Sequence, residues 1–254
     1  MNLPLAGLQV LVTRPAHQAG RFHELLLNAG AKPQLFPVMA IEPVTSPPET
    51  LLAMPKQAYD WVIFISANAV ESSLGFFPDL SSFQSTQLGA IGKQTAAALR
   101  NYGLEPHLVP EQGFTSEDFL ALPQVQYLIG QDILIIRGDA GRELLGETLS
   151  ARGATVSYAN VYRRSVTGSA QALKQIYLAA ALDIICITSS EILRNLLQLL
   201  APETWIYRYP LLVGSERIAA YAEQCGFQHK IIVAHSPADD EMLAALIQWR
   251  QDNE

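Results

Sequence analysis

The chain has 254 residues, of which 49% are hydrophobic and 16% are charged. This composition is typical of a globular protein with one large core or two modest ones, and it excludes an intrinsically disordered chain. The formal net charge of −7 argues against a protein that binds duplex nucleic acid, because such proteins usually carry a basic surface. A local basic cleft could still bind an anionic small molecule.

The amino-terminal residues 1–7 lack the basic and apolar regions of a secretory signal, and no apolar run reaches the length of a membrane span. We therefore expect a cytoplasmic protein with no membrane contact. The two cysteines, Cys186 and Cys225, form no CxxC pair. Cys186 lies within an apolar run, which favours a buried strand thiol over a disulfide or a catalytic role.

Short apolar runs alternate with amphipathic helical patterns, which is typical of parallel strands that are buried on both faces. In chain order, strands are predicted at residues 9–13, 61–65, 87–91, 132–136, 183–187, 210–213 and 230–233. Thr115 and Ser189 have the residue types that begin helices, and Gly30, Gly103, Gly153 and Gly226 each follow a predicted helix. Segments 36–43 and 158–165 are extended in character and too long for simple turns. We interpret them as two linker strands that pair with each other and join two lobes.

An internal repeat divides the chain into two halves near Leu128. Three matched pairs are each 123 residues apart and a fourth is 122 apart, namely Gly30 with Gly153, Asp60 with Asp183, Ser66 with Ser189, and Gly92 with Gly214. A period of this length indicates duplicated domains or half-domains.

Several common catalytic and cofactor motifs are missing. No GxGxxG follows a strand, no GxSxG is present, and the histidines and cysteines show no metal-ligand spacing. The segment Gly89–Thr95 differs from a P-loop in its spacing, so we interpret it as a tight strand-to-helix turn. The sequence therefore predicts neither a cofactor nor a metal.

Polar residues, glycines and a few basic residues follow the predicted strands, where helices begin. In an open parallel sheet, these positions meet at the carboxyl ends of the strands, where ligands bind and helix N-termini favour anions. A ligand with many carboxylates would suit this edge. The candidate ligand-binding residues are Arg14, Ser66, Asn68, Gly92, Lys93, Thr95, Arg137, Gly138, Ser189, Ser190, Gly214 and Ser215.

The chain resembles the uroporphyrinogen-III synthase family in a set of segments that follow the family's order and spacing over nearly the whole chain. Each segment is weakly specific alone, and the ordered set is more specific. The segments are Val12–Pro15, Ile63–Val70, Ala90–Ala96, Arg137–Gly138 with Arg142–Glu143, Gly153–Ala154, Val161–Arg163 and Ile187–Ser189.

The resemblance implies an α/β fold with two flavodoxin-like lobes, whose parallel sheets are joined by a two-stranded β-ladder. One lobe would combine residues 1–36 with 168–254, the other would span 50–157, and 37–49 and 158–167 would be the linker strands. The implied activity is that of a cyclizing lyase without a cofactor. Hydroxymethylbilane loses its terminal hydroxyl to give an azafulvene, and uroporphyrinogen III forms through a spiro intermediate that inverts the last pyrrole ring. The resemblance also implies a monomer that contacts hydroxymethylbilane synthase transiently.

By the same resemblance, Tyr162 matches the family's linker tyrosine and is the candidate catalytic proton donor, with cross-linker packing as the other interpretation. Thr95, Ser66 and Ser189 match cleft hydroxyl residues, for which helix capping and ligand contact both remain open. Arg14 matches the family's basic turn. The chain departs from the pattern at Arg217, where the family often has threonine, and the family pattern gives Lys93 no role. Either cation could bind a carboxylate.

Two other functions share this architecture. The first is a non-catalytic cytosolic two-lobe module that binds a polyanionic small molecule. The second is a regulatory module, fused to enzymes of heme synthesis, that has lost catalysis. Turnover of hydroxymethylbilane separates both from the enzyme.

Overall fold

The apolar runs of the sequence form two five-stranded sheets in the computed structural model, which describes residues 3–54, 59–77, 80–84, 86–113, 115–139, 143–179 and 182–253. Arg142, which belongs to one of the segments quoted above, lies outside these described residues. The chain divides into unit 1, Met1–Ala40 with Ser165–Glu254, and unit 2, Ile41–Arg164. Each unit has its own sheet and core.

The strands include all seven predicted apolar runs, to within one or two residues, and three segments outside those runs. In chain order they are β1 (Gln9–Val12), β2 (Lys32–Leu35), β3 (Met39–Pro43), β4 (Trp61–Phe64), β5 (Gln87–Ala90), β6 (Asp132–Gly138), β7 (Thr155–Val166), β8 (Ile184–Ile187), β9 (Leu211–Val213) and β10 (Ile231–Val233). The helices are α1 (Ala16–Asn28), α2 (Glu49–Ala53), α3 (Ala67–Leu74), α4 (Ser81–Gln84), α5 (Lys93–Asn101), α6 (Ser116–Leu120), α7 (Leu144–Ala151), α8 (Ala170–Ala179), α9 (Ser190–Leu200), α10 (Glu216–Gln224) and α11 (Asp239–Gln251). Short 3₁₀ turns occur at Pro123–Val125 and Trp205–Arg208.

The sheet of unit 1 has the strand order β10-β9-β8-β1-β2, and all four pairings are parallel. Counted along unit 1 alone, this is the 2-1-3-4-5 order of flavodoxin-like folds. Alternate strand residues such as Val10 and Val12 point to one face, where they pack with Phe22 of α1 and Met242 of α11. Each fully buried side chain of this kind contributes about 2 kcal/mol to stability.

The sheet of unit 2 has the order β3-β7-β6-β4-β5, with parallel pairing from β7 to β5. Its two faces are covered separately. Phe64 packs on the side of α3 and α5, and Ile63 packs on the side of α6 and α7. The continuous apolar strands predicted from the sequence are therefore buried on both faces, as in a doubly wound fold.

Strand β7 is longer than the sequence indicated. Segment 158–165, which was interpreted as a separate linker strand, is part of one 12-residue strand that begins at Thr155. Strand β3, which includes most of the other predicted linker, lies beside β7 in the sheet. The backbone N–H of Val44 donates to the Val161 carbonyl oxygen at 3.0 Å.

The helix caps correct one pair of the sequence repeat. Gly92 is the N-cap of α5 and Ser215 is the N-cap of α10, so these two residues are equivalent and keep the 123-residue offset. The pairing of Gly92 with Gly214 is wrong, because the match of two glycines moved the alignment by one residue. At the ends of the same two helices, Gly103 and Gly226 have positive φ angles of 77° and 99°, as predicted for residues that follow a helix.

In the part of the chain that the structure describes, no helix combines the length and the apolar character that a membrane span requires. Cys186 is buried in β8, as its apolar surroundings predicted, and burial raises the pKa of its thiol to about 12. The nearby positive charge of Arg14 opposes this increase.

Candidate active site

At the carboxyl edge of the unit 2 sheet, Ser66 follows β4 and begins α3. Its backbone is extended, with a φ of −162°, and its hydroxyl oxygen accepts a hydrogen bond from the Ala69 N–H at 3.1 Å. This bond satisfies one of the helix N–H groups that lack a partner within the helix. The capping interpretation of Ser66 is therefore confirmed, and its half-buried side chain still reaches the edge of the sheet.

Tyr162 of β7 lies beside Ser66 with 0% of its surface exposed. The two hydroxyl oxygens are 3.3 Å apart. The Arg164 Nη2 donates to the Tyr162 hydroxyl at 3.3 Å, and the guanidinium carbon lies 5.8 Å from the centre of the tyrosine ring. The candidate proton donor thus belongs to the core of unit 2 and is also hydrogen-bonded to a residue at its edge.

Gly138 makes the position of the Tyr162 ring possible. The two residues are opposite each other in the β6–β7 register, which shifts between Arg137 and Gly138. A Cβ atom at Gly138 would lie 2.5 Å from the tyrosine Cε2, closer than such atoms can approach. Glycine is therefore needed here for the close packing of the ring against the backbone.

Arg137 is held within unit 2 by three neighbours. Its Nε donates to Asn160 at 3.1 Å, its Nη1 pairs with Glu143 at 3.0 Å, and its guanidinium carbon lies 4.1 Å from the Tyr158 ring centre. Burial, followed by the negative charge of Glu143, raises the pKa of the Tyr158 hydroxyl. With 13% of its side chain exposed, Arg137 presents only a small part of its guanidinium to a ligand.

The N-terminus of α5 is the other predicted contact region of unit 2. Its N-cap, Gly92, supplies no side-chain hydrogen bond. Thr95 is 5% exposed, and its hydroxyl has no hydrogen bond to any described residue. Lys93 is exposed in the first turn of α5, and Asn68 is half-buried in the first turn of α3.

The carboxyl edge of the unit 1 sheet carries the equivalent helix starts. Ser189 caps α9 by accepting from the Ile192 N–H at 3.1 Å, and Ser190 follows it as the first helical residue. Ser215 is the N-cap of α10, but its side chain does not cap the helix. Gly214 packs closely against Pro237, because a Cβ atom there would lie 2.7 Å from the proline Cβ.

Arg14 is buried at this edge, with 6% of its surface exposed. Its guanidinium forms an ion pair with Asp239 at the start of α11 and lies 4.7 Å from the Phe22 ring centre. A second nitrogen donates to the Pro237 carbonyl at 3.5 Å. In this arrangement Arg14 holds α11 against the sheet edge, and its role in binding a substrate carboxylate stays a prediction.

Sequence reasoning missed two residues that organise these edges, Asp239 and Arg164. Asp239 lies 225 residues from Arg14, so nothing local in the sequence connects them. Arg164 carries a usable signal, since residues i and i+2 of a strand share a face and it is two residues after Tyr162.

A cavity of about 530 Å³ lies elsewhere in unit 2, beside the segment His107–Gln112 and the start of the 3₁₀ turn at Pro123. None of the predicted site residues lines it. Within the described ranges, no group of three or more His, Cys, Asp or Glu side chains could hold a metal ion.

Comparison with known proteins identifies the family. A family model described as "Uroporphyrinogen-III synthase HemD" matches residues 20–244. The chain belongs to the uroporphyrinogen-III synthase family. It is 32% identical to the uroporphyrinogen-III synthase of Escherichia coli K12 over 248 residues, which are 94% of this chain and all of that protein. It is 39% identical to the enzyme of that name from Salmonella typhimurium over 163 residues, which are 62% of this chain and 65% of that protein.

Solved structures of the uroporphyrinogen-III synthase family share the fold. A mutant uroporphyrinogen III synthase from the extremely thermophilic bacterium Thermus thermophilus aligns with a TM-score of 0.68 and 19% identity, covering 98% of this chain and all of that chain. The synthase from Helicobacter pylori aligns with a TM-score of 0.63 and 16% identity, covering 95% and 99%. The predicted family and the predicted two-lobe α/β architecture with parallel sheets are confirmed.

Proposed function

We propose that the chain is a uroporphyrinogen-III synthase, a lyase that converts hydroxymethylbilane into uroporphyrinogen III and water. The observation that carries the proposal is the match to the family over residues 20–244, supported by a relative that aligns over its whole length. The geometry is compatible with this chemistry, because a tyrosine and a serine hydroxyl meet at the carboxyl edge of a parallel sheet, where ligands bind in such folds.

The substrate carries many carboxylates, and the edges of both sheets offer donors for them. Helices α3, α5, α9 and α10 all begin there, and each helix N-terminus stabilises a nearby negative charge by about 0.3–1 kcal/mol. We assign substrate contacts to the residues around these four helix starts and to the two strand-end arginines. They are Arg14, Ser66, Asn68, Gly92, Lys93, Thr95, Arg137, Gly138, Ser189, Ser190, Gly214 and Ser215.

The catalytic task is to protonate the departing hydroxyl and to fold the flexible substrate for closure with ring inversion. We assign the proton to Tyr162, the tyrosine that is hydrogen-bonded at the edge of unit 2. General acid catalysis of this kind contributes about 10²–10⁴-fold in rate. Correct placement of the two reacting ends raises the rate further, because it replaces a random encounter by a prepared geometry. The reaction as written needs neither a cofactor nor a metal.

Further features of the proposal follow from the family resemblance. Residues 37–49 and 158–167 act as a two-stranded ladder that joins lobes of residues 1–36 with 168–254 and of residues 50–157. The enzyme works as a cytoplasmic monomer, and hydroxymethylbilane synthase delivers the unstable substrate through a transient contact.

A coupled assay tests the function. Hydroxymethylbilane is generated in situ with and without the purified protein, the products are oxidised, and the uroporphyrin isomers are separated. We expect the type III isomer to predominate only when the protein is present. Type I alone, the product of spontaneous closure, would contradict the proposal and favour a non-catalytic module that binds a polyanion.

A further inference from the structure

Tyr162 is fully buried, whereas the oxygen that must be protonated belongs to a substrate at the sheet edge. Ser66 is its half-buried neighbour at the end of β4, and the two hydroxyl oxygens are 3.3 Å apart. We propose that the Ser66 hydroxyl hands the proton to the substrate and receives a replacement from Tyr162, whose hydroxyl is held in place by Arg164. This inference rests on the proposed function and names the group that touches the leaving hydroxyl.

The direction of the Tyr162–Ser66 hydrogen bond follows from counting donors and acceptors. A guanidinium has no acceptor, so Arg164 must donate to the tyrosine oxygen. If Ser66 donated to Tyr162 as well, the tyrosine proton would have no acceptor among the described residues. A buried hydroxyl without an acceptor is unfavourable, so the tyrosine donates to the serine.

The same count of donors and acceptors leaves the Ser66 hydroxyl proton available at the sheet edge. The Ser66 oxygen accepts from Tyr162 and from the Ala69 N–H, which uses both of its acceptor positions. Its own proton is not used in either bond. The serine proton can therefore point out of the unit, toward a ligand oxygen, while the tyrosine proton stays inside.

Proton transfer through Ser66 converts the departing hydroxyl into water. The carbon–oxygen bond of the hydroxymethyl group breaks with its electron pair on oxygen, the Ser66 proton completes a water molecule, and the Tyr162 proton moves to Ser66. The substrate becomes a cationic azafulvene and Tyr162 becomes a tyrosinate. When the last pyrrole ring regains aromaticity after closure, the proton that it loses returns through Ser66 to Tyr162.

Arg164 acts as a positioning residue. Its guanidinium fixes the tyrosine oxygen toward Ser66 and stabilises the negative charge that develops there during the transfer. We expect Arg164→Met to lower kcat with little change in KM, and Arg164→Lys to restore part of the rate because the cation is retained. Equal losses in both variants would contradict this role.

Substitutions at position 66 test the proton-transfer role of the Ser66 hydroxyl separately from its capping of α3. Thr and Asn at position 66 both cap helices well, but only Thr keeps a hydroxyl that can accept and donate a proton. We expect the kcat of Ser66→Thr to exceed that of Ser66→Asn, because threonine retains the hydroxyl. We expect Ser66→Asn to lower kcat by about 10²-fold or more without a matching rise in KM. Ser66→Gly, also a favourable cap, provides a second variant without the hydroxyl.

A double variant tests whether the Tyr162 and Ser66 hydroxyls act in one proton relay. If the proton passes from Tyr162 through Ser66, either change alone removes the step, so Tyr162→Phe in the Ser66→Asn background causes little further loss. Losses that multiply would overturn the relay, as would a wild-type kcat in Ser66→Asn. Ser189→Asn makes the same exchange at the cap of α9, and there we expect the change in KM rather than in kcat.

The wild-type isomer assay distinguishes the failure of the relay from the failure of the function. If the wild type forms the type III isomer and Ser66→Asn is equally fast, only the relay is overturned. If the wild type forms type I alone, the function and the relay are overturned together.

Discussion

The carboxyl edges of the two sheets place equivalent residues in different surroundings. Arg14 and Arg137 are 123 residues apart, lie at the carboxyl ends of equivalent strands, and each pairs with a carboxylate. The partner of Arg137 is Glu143, six residues away, whereas the partner of Arg14 is Asp239, 225 residues away. The ion pair of unit 2 is therefore local, and that of unit 1 fastens a distant helix.

Ser66 and Ser189 have the same structural role in the two units but different neighbours. Ser66 and Ser189 cap α3 and α9 with bonds of equal length, 3.1 Å. Ser66 has Tyr162 beside it, whereas the residue equivalent to Tyr162 in the repeat is Met39, which has no hydroxyl. The repeat has kept the caps in both units and the tyrosine hydroxyl in one.

Removing the proposed proton source should have the largest effect on activity. We expect Tyr162→Phe to lower kcat by about 10²–10⁴-fold, because the ring still packs on Gly138 while the hydroxyl is lost. The coupled isomer assay measures this loss. Tyr59→Phe removes a hydroxyl from the same core away from the site, and its rate should match the wild type. A Tyr162→Phe rate equal to that of Tyr59→Phe would remove the functional difference between the units.

Asp239→Asn tests the distant ion pair. We expect it to lower the free energy of unfolding by about 3 kcal/mol, because the buried Arg14 loses its charged partner. A urea titration followed by tryptophan fluorescence measures the change. Asp240→Asn is the matched control, since it is also in the first turn of α11 but pairs with the exposed Arg21. Equal losses in the two variants would mean that the helix terminus, and not Arg14, accounts for the effect.

Gly138→Ala tests the packing that places the tyrosine. The added methyl group would meet the Tyr162 ring, so we expect a loss of about 2 kcal/mol in stability together with a lower kcat. Gly20→Ala in α1 is the control, because its methyl group would meet no atom within 4 Å and alanine favours a helix by about 1 kcal/mol. Urea titration and the isomer assay follow both. A Gly138→Ala variant with wild-type kcat would show that the ring position is not critical.

The smallest effect on stability concerns the caps. Ser66→Ala and Ser189→Ala should each lower the free energy of unfolding by about 1 kcal/mol, since each removes one side-chain cap. Their kcat values should differ, with the larger decrease in Ser66→Ala. Urea midpoints give the first comparison and the isomer assay the second. Equal kcat values in the two variants would contradict the difference that we draw between the units.

Much of this architecture was readable from local sequence. The apolar strands, the caps at Thr115 and Ser189 and the left-handed glycines depend on short-range patterns, and the structure has them where they were predicted. One predicted pair of the repeat was wrong, because Gly92 was matched to another glycine, Gly214, and not to its structural equivalent, Ser215. The conformational requirement of an N-cap, and not the residue type, is what the two positions share.

The site was less predictable, because its contacts join distant segments. The family resemblance named Tyr162 and Ser66 as candidate site residues, but their hydrogen bond depends on the β6–β7 register and on its shift before Gly138. The burial of Arg14 depends on α11, which no pattern near residue 14 reveals. Short-range patterns therefore predicted which residues lie at the edges but not what holds each of them.

The order of folding during synthesis follows from the way unit 1 is divided along the chain. Unit 2 is continuous in sequence, so it can begin to fold once its last residue, Arg164, has emerged from the ribosome. In unit 1, β1 pairs with β8 and α1 packs against α11, so these contacts form only after the carboxyl-terminal segments have been synthesised. Nascent chains usually fold from the amino-terminal end. Here the inner segment can fold first, while the apolar faces of β1 and α1 stay uncovered until the carboxyl-terminal strands arrive. Chaperones that bind exposed apolar segments therefore have their longest opportunity at the first 40 residues.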